Sequence, residues 1–131
     1  MPSRWRTIII VSPYRGTQAA GGLASSESIA QTAEPTYKGD PSVYKVIFED
    51  ANFRVVEANR QAGIKDKAHG HPVPSVVYYV NDCKSKLTGA DGKARETVNK
   101  AGTANAVPII ASHTAENIGT TPCKQIFVEK K

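Results

Sequence analysis

The chain has 131 residues, with 17 Lys or Arg and 12 Asp or Glu, so its formal net charge at pH 7 is +5. A chain of this length buries roughly two-thirds of its unfolded surface, which is enough for one core without a metal or disulfide. It lacks the run of about eighteen apolar residues that a membrane span needs, and its scattered positive charges show no aromatic interleaving, which argues against nucleic-acid binding.

Residues 1–42 are predicted to form an extended N-terminal arm. Residues 13–39 are rich in Gly, Ala, Ser, Thr and Gln with almost no large apolar side chains, so they cannot build a core of their own. Residues 4–11 join a basic patch to an apolar run that is shorter than the roughly seven residues a secretory signal requires. As an alternative, residues 7–11 form a β-strand that pairs with the sheet edge of a second subunit.

From residue 44 onward the chain consists of short runs rich in β-branched and aromatic residues, separated by turn residues, which predicts strands. The predicted strands are residues 44–48, 53–58, 75–80, 94–99, 106–110 and 125–128. Asp91 and Gly92 lie between residues 83–88 and 93–98 and predict a tight hairpin. Because no stretch keeps a helical period, we predict an all-β domain over residues 43–131.

The three histidines of the chain fall in two short stretches. His69 and His71 are two residues apart, so on a strand their side chains leave the same face about 7 Å apart. Two imidazoles so placed can chelate one ion. If the fold brings the strand of His113 beside them, the third imidazole completes a three-nitrogen face for a divalent cation.

The spacing of these residues resembles the two sequence motifs of the cupin superfamily. The first motif reads glycine, five residues, His-x-His, three or four residues, glutamate, six residues, glycine. Gly63, His69 and His71 fit this register. Ser75 stands at the glutamate position and Asp82 at the last glycine, so the first motif is half kept.

The second cupin motif reads glycine, five residues, proline, x, glycine, two residues, histidine, three residues, asparagine. The chain matches it at Gly102, Pro108, His113 and Asn117, and departs from it at the inner glycine, which is Ile110. The resemblance covers roughly residues 43–130.

The resemblance implies a small, single-domain, bacterial-type cupin. Its fold would be a jelly roll, or double-stranded β-helix barrel, over residues 43–131, preceded by the arm of residues 1–42. Small cupins often carry an export leader, so the start of the chain is alternatively a decayed leader or a mis-assigned start. Many cupins dimerise, and we expect a homodimer. The compartment stays open between cytoplasm and periplasm.

The resemblance also implies that His69, His71 and His113 bind a divalent transition metal. Nickel, zinc, iron, manganese and copper all accept imidazole ligands, so the sequence does not choose among them. Glu116 or the hydroxyl of Ser75 is a substitute for the missing glutamate. Asn117 is expected to orient the turn of the second motif rather than to bind metal.

A substrate pocket is expected beside the metal, lined by alternate residues of 76–80, 106–110 and 53–57, and it would be apolar with few titratable groups. Tyr78 or Tyr79, whichever points inward, is the candidate for a substrate hydrogen bond, with Tyr78 preferred. Glu57 or Glu116 is the candidate general base. The expected function is a metal-dependent oxygenase or isomerase acting on a small organic molecule. The alternatives are a non-catalytic metal-binding or ligand-binding cupin, and a barrel whose metal site has decayed.

Cys83 and Cys123 raise the question of a disulfide. In a cupin topology the strand that ends near Val80 and the strand that begins near Lys124 run antiparallel in one sheet, which would bring the two sulfurs together. The alternatives are two unrelated thiols, or a Cys123 that packs as a small apolar residue. A bridge would indicate an oxidising compartment such as the periplasm.

Overall fold

A computed structural model describes residues 32–131 of the chain. In its strands, buried and exposed side chains alternate. Along Ser75–Tyr79 every second side chain is buried, and Cys123–Lys130 keeps the same period. Successive side chains of a strand point to opposite faces, so this period places one face of each strand in a core and turns the other towards solvent.

Residues 32–131 form one short helix and nine strands. The helix α1 spans Thr36–Gly39. The strands in chain order are β1 (Tyr44–Glu49), β2 (Phe53–Arg60), β3 (His69–His71), β4 (Ser75–Tyr79), β5 (Cys83–Gly89), β6 (Ala94–Asn99), β7 (Ala104–Val107), β8 (Ile110–Asn117) and β9 (Cys123–Lys130). No helix in the described range is long and apolar enough to cross a membrane.

The strands form two antiparallel sheets. The five-stranded sheet has the order β1-β2-β9-β4-β7, and the four-stranded sheet has the order β3-β8-β5-β6. The chain passes repeatedly from one sheet to the other, which is typical of a jelly roll. The all-β prediction is confirmed, and so is the hairpin at Asp91 and Gly92, which joins β5 to β6.

The prediction of a single strand at residues 106–110 is wrong. The chain leaves β7 after Val107 and begins β8 at Ile110, and these two strands belong to different sheets. Pro108 lies at the break. Proline cannot donate a backbone hydrogen bond, so it favours the end of a strand over its centre.

The core lies mainly on the inner face of the five-stranded sheet. Its buried apolar side chains are Val43, Tyr44, Val56, Ala58, Val77, Tyr79, Cys83, Cys123 and Phe127.

Cys83 and Cys123 form a disulfide across the two sheets, with their Cα atoms 5.2 Å apart. Cys83 is the first residue of β5, and Cys123 is the first residue of β9. As expected, β9 pairs antiparallel with β4, and Gln125 lies opposite Tyr79. Of the alternatives that the sequence left open, the structure has the disulfide.

The predicted arm lies largely outside the described residues, and so do the strand expected at residues 7–11 and the possible leader. The last part of the arm, residues 32–42, packs against the barrel. Pro35 forms a bridge with Gly70 of β3, and the amide of Ala33 donates a hydrogen bond to the carbonyl of Ala111 at 3.0 Å. This segment therefore covers the edge of the four-stranded sheet beside β3.

Candidate metal centre

The three histidines meet on two neighbouring strands. His69 of β3 lies opposite His113 of β8 in the antiparallel register, and the register shifts before His71, which lies opposite Ile110. His69 and His71 occupy alternate positions, so their side chains leave the same face of the sheet. The structure thus brings together all three residues that the sequence predicts as metal ligands.

The three imidazoles cluster closely, and His71 and His113 already have the separation of two ligands of a single ion. One nitrogen from each ring lies within 4.8 Å of the others, and no other residue of the described range belongs to this group. The Nε2 atoms of His71 and His113 are 3.1 Å apart. With bonds of about 2.1 Å to a shared ion, neighbouring ligand nitrogens lie roughly 3.0 to 3.4 Å apart.

A hydrogen bond sets which nitrogen of His69 is available. Its Nδ1 donates to the backbone carbonyl of Lys67 at 3.0 Å. The carboxylate of Asp66 lies 3.6 Å from the same nitrogen. A neutral ring that is protonated on Nδ1 presents an unprotonated Nε2, so this hydrogen bond prepares Nε2 as a ligand.

Burial keeps the three imidazoles neutral. It lowers the pKa of His71 to about 3, and repulsion from His113 and His69 adds to this effect. Burial likewise lowers the pKa of His113 to about 4, with a further contribution from His69. The pKa of His69 is also lowered, again chiefly by burial. Neutral imidazole is the form that binds metal, so the donor set is ready at neutral pH.

Gly70 of β3 allows the backbones of two neighbouring segments, one on each side of the strand, to approach closely. A Cβ atom at this position would lie 2.7 Å from the carbonyl oxygen of Ala111 and 3.1 Å from that of Ala33. The residue between His69 and His71 must therefore be glycine if residues 32–35 and β8 are to pack against it as closely as they do.

A buried polar network that the sequence did not reveal lies behind His69. The hydroxyl of Tyr44 donates to Asp66 Oδ2 at 2.6 Å, and Arg60 Nη2 donates to that hydroxyl at 2.6 Å and to Asp66 Oδ2 at 3.1 Å. The same hydroxyl lies 3.4 Å from His69 Nε2. Burial raises the pKa of Tyr44 well above its ordinary value, so the phenol stays protonated. The network therefore contacts His69 at both ring nitrogens, through Asp66 at Nδ1 and Tyr44 at Nε2.

One signal for this network was present in the sequence. Arg60 follows Val56 and Ala58 at alternate positions of β2, so a guanidinium occupies the buried face of a core strand. A buried charge requires a partner. Nothing in the sequence identified Asp66 as that partner, because Asp66 lies in a loop beyond the strand.

The histidines face a cavity of about 390 Å³ between the two sheets. Val77 and Tyr79 line it as predicted, and so do the alternate residues Ala106, Pro108 and Ile110, although Val107 lines it too. The predicted contribution of residues 53–57 is wrong, because β2 reaches the cavity through Arg60 instead. The expectation of few titratable groups is also wrong, since Arg60, Arg95 and Tyr44 line the cavity beside the histidines.

The three predicted catalytic residues lie away from this cavity. Tyr78 is 46% exposed on the outer face of β4, whereas Tyr79 is 8% exposed and lines the cavity. Glu57 forms an ion pair with Lys124 at 3.2 Å. Glu116 pairs in register with Lys86. Each of the three occupies an outward position of its strand, because the inward positions fall on the alternate residues.

The two residues expected to compensate for the missing glutamate do not join the histidines. Glu116 points outward, and Ser75 is buried without lining the cavity. Within the described residues the Ser75 hydroxyl has no hydrogen-bond partner. The donor set of the site is thus three imidazoles without a carboxylate.

Asn117 has the structural role that was expected. Its Nδ2 donates to the carbonyls of Arg60 at 2.9 Å and Thr121 at 2.8 Å, and its Oδ1 accepts from the amide of Gly119 at 2.9 Å. These bonds fix the turn between β8 and β9, which directly follows the second motif.

Comparison with protein-family models finds no match, and comparison with curated proteins finds none either. Solved structures do match. A cupin domain from Bordetella pertussis Tohama I is 19% identical with a TM-score of 0.63, over 75% of this chain and 96% of that one. An uncharacterized conserved protein with a double-stranded β-helix domain from Klebsiella pneumoniae is 18% identical with a TM-score of 0.55, over 78% and 85%. An RmlC-like cupin family protein from Methanocaldococcus jannaschii is 15% identical with a TM-score of 0.55, over 67% and 78%.

Proposed function

Because the chain has the cupin fold, a double-stranded β-helix, we propose that it binds one divalent transition metal ion through His69, His71 and His113. The observation that carries this proposal is the convergence of three largely buried imidazoles, with one nitrogen of each within 4.8 Å of the others. Their lowered pKa values keep them in the metal-binding form at neutral pH.

The buried network supports the proposed site by holding the ligands in place. Asp66 accepts hydrogen bonds from Tyr44, Arg60 and the amide of Ala115, the last at 2.7 Å, and so links β1, β2 and β8 behind the histidines. The ring of Phe127 packs on His71 with the ring centroids 5.6 Å apart. Ligands held in this way lose little rotamer freedom when an ion binds.

We propose further that the bound metal serves chemistry on a small organic molecule, as an oxygenase or an isomerase. Three protein ligands leave coordination positions open towards a cavity of about 390 Å³. A metal in this place would supply Lewis acidity or, if it is iron, manganese or copper, redox chemistry. Tyr79 replaces Tyr78 as the candidate that orients the substrate, because its side chain lines the cavity.

One observation favours the second candidate function, a metal-binding or ligand-binding cupin without turnover. Among the described residues that line the cavity there is no Asp or Glu, so no carboxylate is placed to act as general base. Chemistry in this site would have to depend on the metal and its open positions.

The proposed site predicts about one equivalent of a transition metal in protein purified without chelators or metal columns, and none in His69→Ala/His113→Ala. Elemental analysis measures both. Metal added back to the stripped wild type at about 100 times its Kd should raise the free energy of unfolding by about 2.7 kcal/mol, since it binds only the folded state. The double variant should show no such gain in a thermal melt.

Glu116→Gln is the matched control, because it removes a potential metal-binding side chain of β8 that points away from the histidines. This variant should keep its metal. The proposal would be contradicted if the wild type took up no metal on reconstitution, or if the double histidine variant retained it. With iron or manganese bound, oxygen consumption in the presence of small hydroxy and carbonyl compounds then separates an oxygenase from a binding protein.

A further inference from the structure

We propose that the cavity beside the histidines accepts a small organic carboxylate, whose carboxylate group is bound by Arg95. The inference rests on the proposed metal site and adds the chemical class of its ligand. Arg95 lies on β6, the edge strand of the four-stranded sheet, and its exposed side chain lines the cavity that contains His69, His71 and His113. A ligand there would reach from solvent towards the metal.

The charge of the cavity wall selects for an anion. The charged side chains in the lining are Arg60 and Arg95, and no carboxylate of residues 32–131 lines the cavity. The charge of Arg60 is compensated, since Asp66 lies 3.1 Å away and both side chains are at most 2% exposed. Arg95 forms no ion pair within the described part of the chain. Its guanidinium is thus the uncompensated positive charge of the wall.

The rest of the wall suggests a ligand with a polar end and an apolar body. Arg95, Thr97 and Asn99 occupy alternate positions of β6 and line the cavity together with Asn105, whose Nδ2 donates to Asn99 Oδ1 at 2.9 Å. Leu87 lies directly opposite Arg95 in the register and supplies apolar surface.

The size of the cavity and the guanidinium of Arg95 together define the class of ligand. A volume of about 390 Å³ is at the small end of the range for small-molecule sites, so the cavity suits a small ligand. A guanidinium binds a carboxylate through two parallel hydrogen bonds, which an amide of the same shape cannot match.

Calorimetric titration of the zinc-loaded protein tests this inference with carboxylates and their neutral isosteres. The probes are oxalate, succinate and benzoate, each compared with oxamide, succinamide or benzamide. At least one carboxylate should bind roughly tenfold or more tightly than its amide, and Arg95→Gln should weaken that carboxylate by roughly ten- to a hundredfold. Metal content should stay at about one equivalent in Arg95→Gln.

Lys84→Gln is the charge-matched control, because it removes one positive charge from an exposed side chain of β5 outside the cavity. It should leave carboxylate affinity unchanged. The inference is overturned if no carboxylate binds, if amides bind equally well, or if the two variants weaken binding equally. Elemental analysis of the same samples separates the failure of the metal site from the failure of the carboxylate site. If no metal is found, the proposed metal site is refuted. Titration of the metal-free protein still shows whether carboxylate binding depends on Arg95.

Discussion

Reduction of the Cys83–Cys123 disulfide is expected to lower the free energy of unfolding by about 4 kcal/mol. The bridge joins residues 40 apart in sequence, and closing a loop of this length removes much of the conformational entropy of the unfolded chain. It also ties the first residue of β5 to that of β9, across the two sheets. For a domain of about 100 residues, a loss of this size corresponds to a fall in Tm of roughly 15 to 30 °C.

Thermal melts followed by circular dichroism, with and without a phosphine reductant, measure this effect. Cys83→Ala/Cys123→Ala is the control, because it should melt near the reduced wild type and should not respond to the reductant. An unchanged Tm in wild type whose thiols titrate as fully reduced would disprove the expectation.

Asp66→Asn is expected to destabilise the protein by about 3 to 5 kcal/mol, because it leaves the charge of Arg60 buried without its counter-ion. The two side chains lie 3.1 Å apart, and they are 0% and 2% exposed. Since Asp66 also holds Tyr44, and Tyr44 lies against His69, the substitution should in addition lower metal affinity roughly ten- to a hundredfold.

Chemical denaturation of metal-free protein measures the loss in stability, and Asp82→Asn is the matched control. Asp82 pairs with Lys100 at 3.7 Å, but these side chains are 63% and 75% exposed, so the same substitution should cost less than about 1 kcal/mol. In Arg60→Met/Asp66→Asn no buried charge remains, and much of the lost stability should return. Equal losses in the two Asp→Asn variants would refute the role given to the buried pair.

Part of the histidine cluster was predictable because the spacing of His69 and His71 is a local property of the chain. His69 and His71 are two residues apart and necessarily share a face of any strand. Gly63 and Gly102, the first residues of the two motifs, both adopt positive φ angles, of 81° and 82°, which favour glycine. A motif that depends on such backbone conformations can be read from residue types alone.

The choice between Tyr78 and Tyr79 could not be made from the sequence, and the structure places Tyr79 at the cavity. Tyr78 and Tyr79 are adjacent and chemically identical, and a strand presents one of them to each face. Which of the two points inward depends on the register of β4 with β9, where Val77 lies opposite Phe127 and Tyr79 opposite Gln125. Shifting a register by one residue exchanges the faces, so this choice is not encoded in the local pattern.

The sequence by itself determined the β-rich class, most of the strands and the three candidate metal-binding histidines, since a period of two and short fixed spacings are properties of neighbouring residues. Only the tertiary structure decided that Tyr44, Arg60 and Asp66 form one network, that Arg95 lines the cavity, and that the cysteines are joined. These contacts join segments whose distance in space is set by how the two sheets pair and stack. The local sequence pattern does not specify that distance.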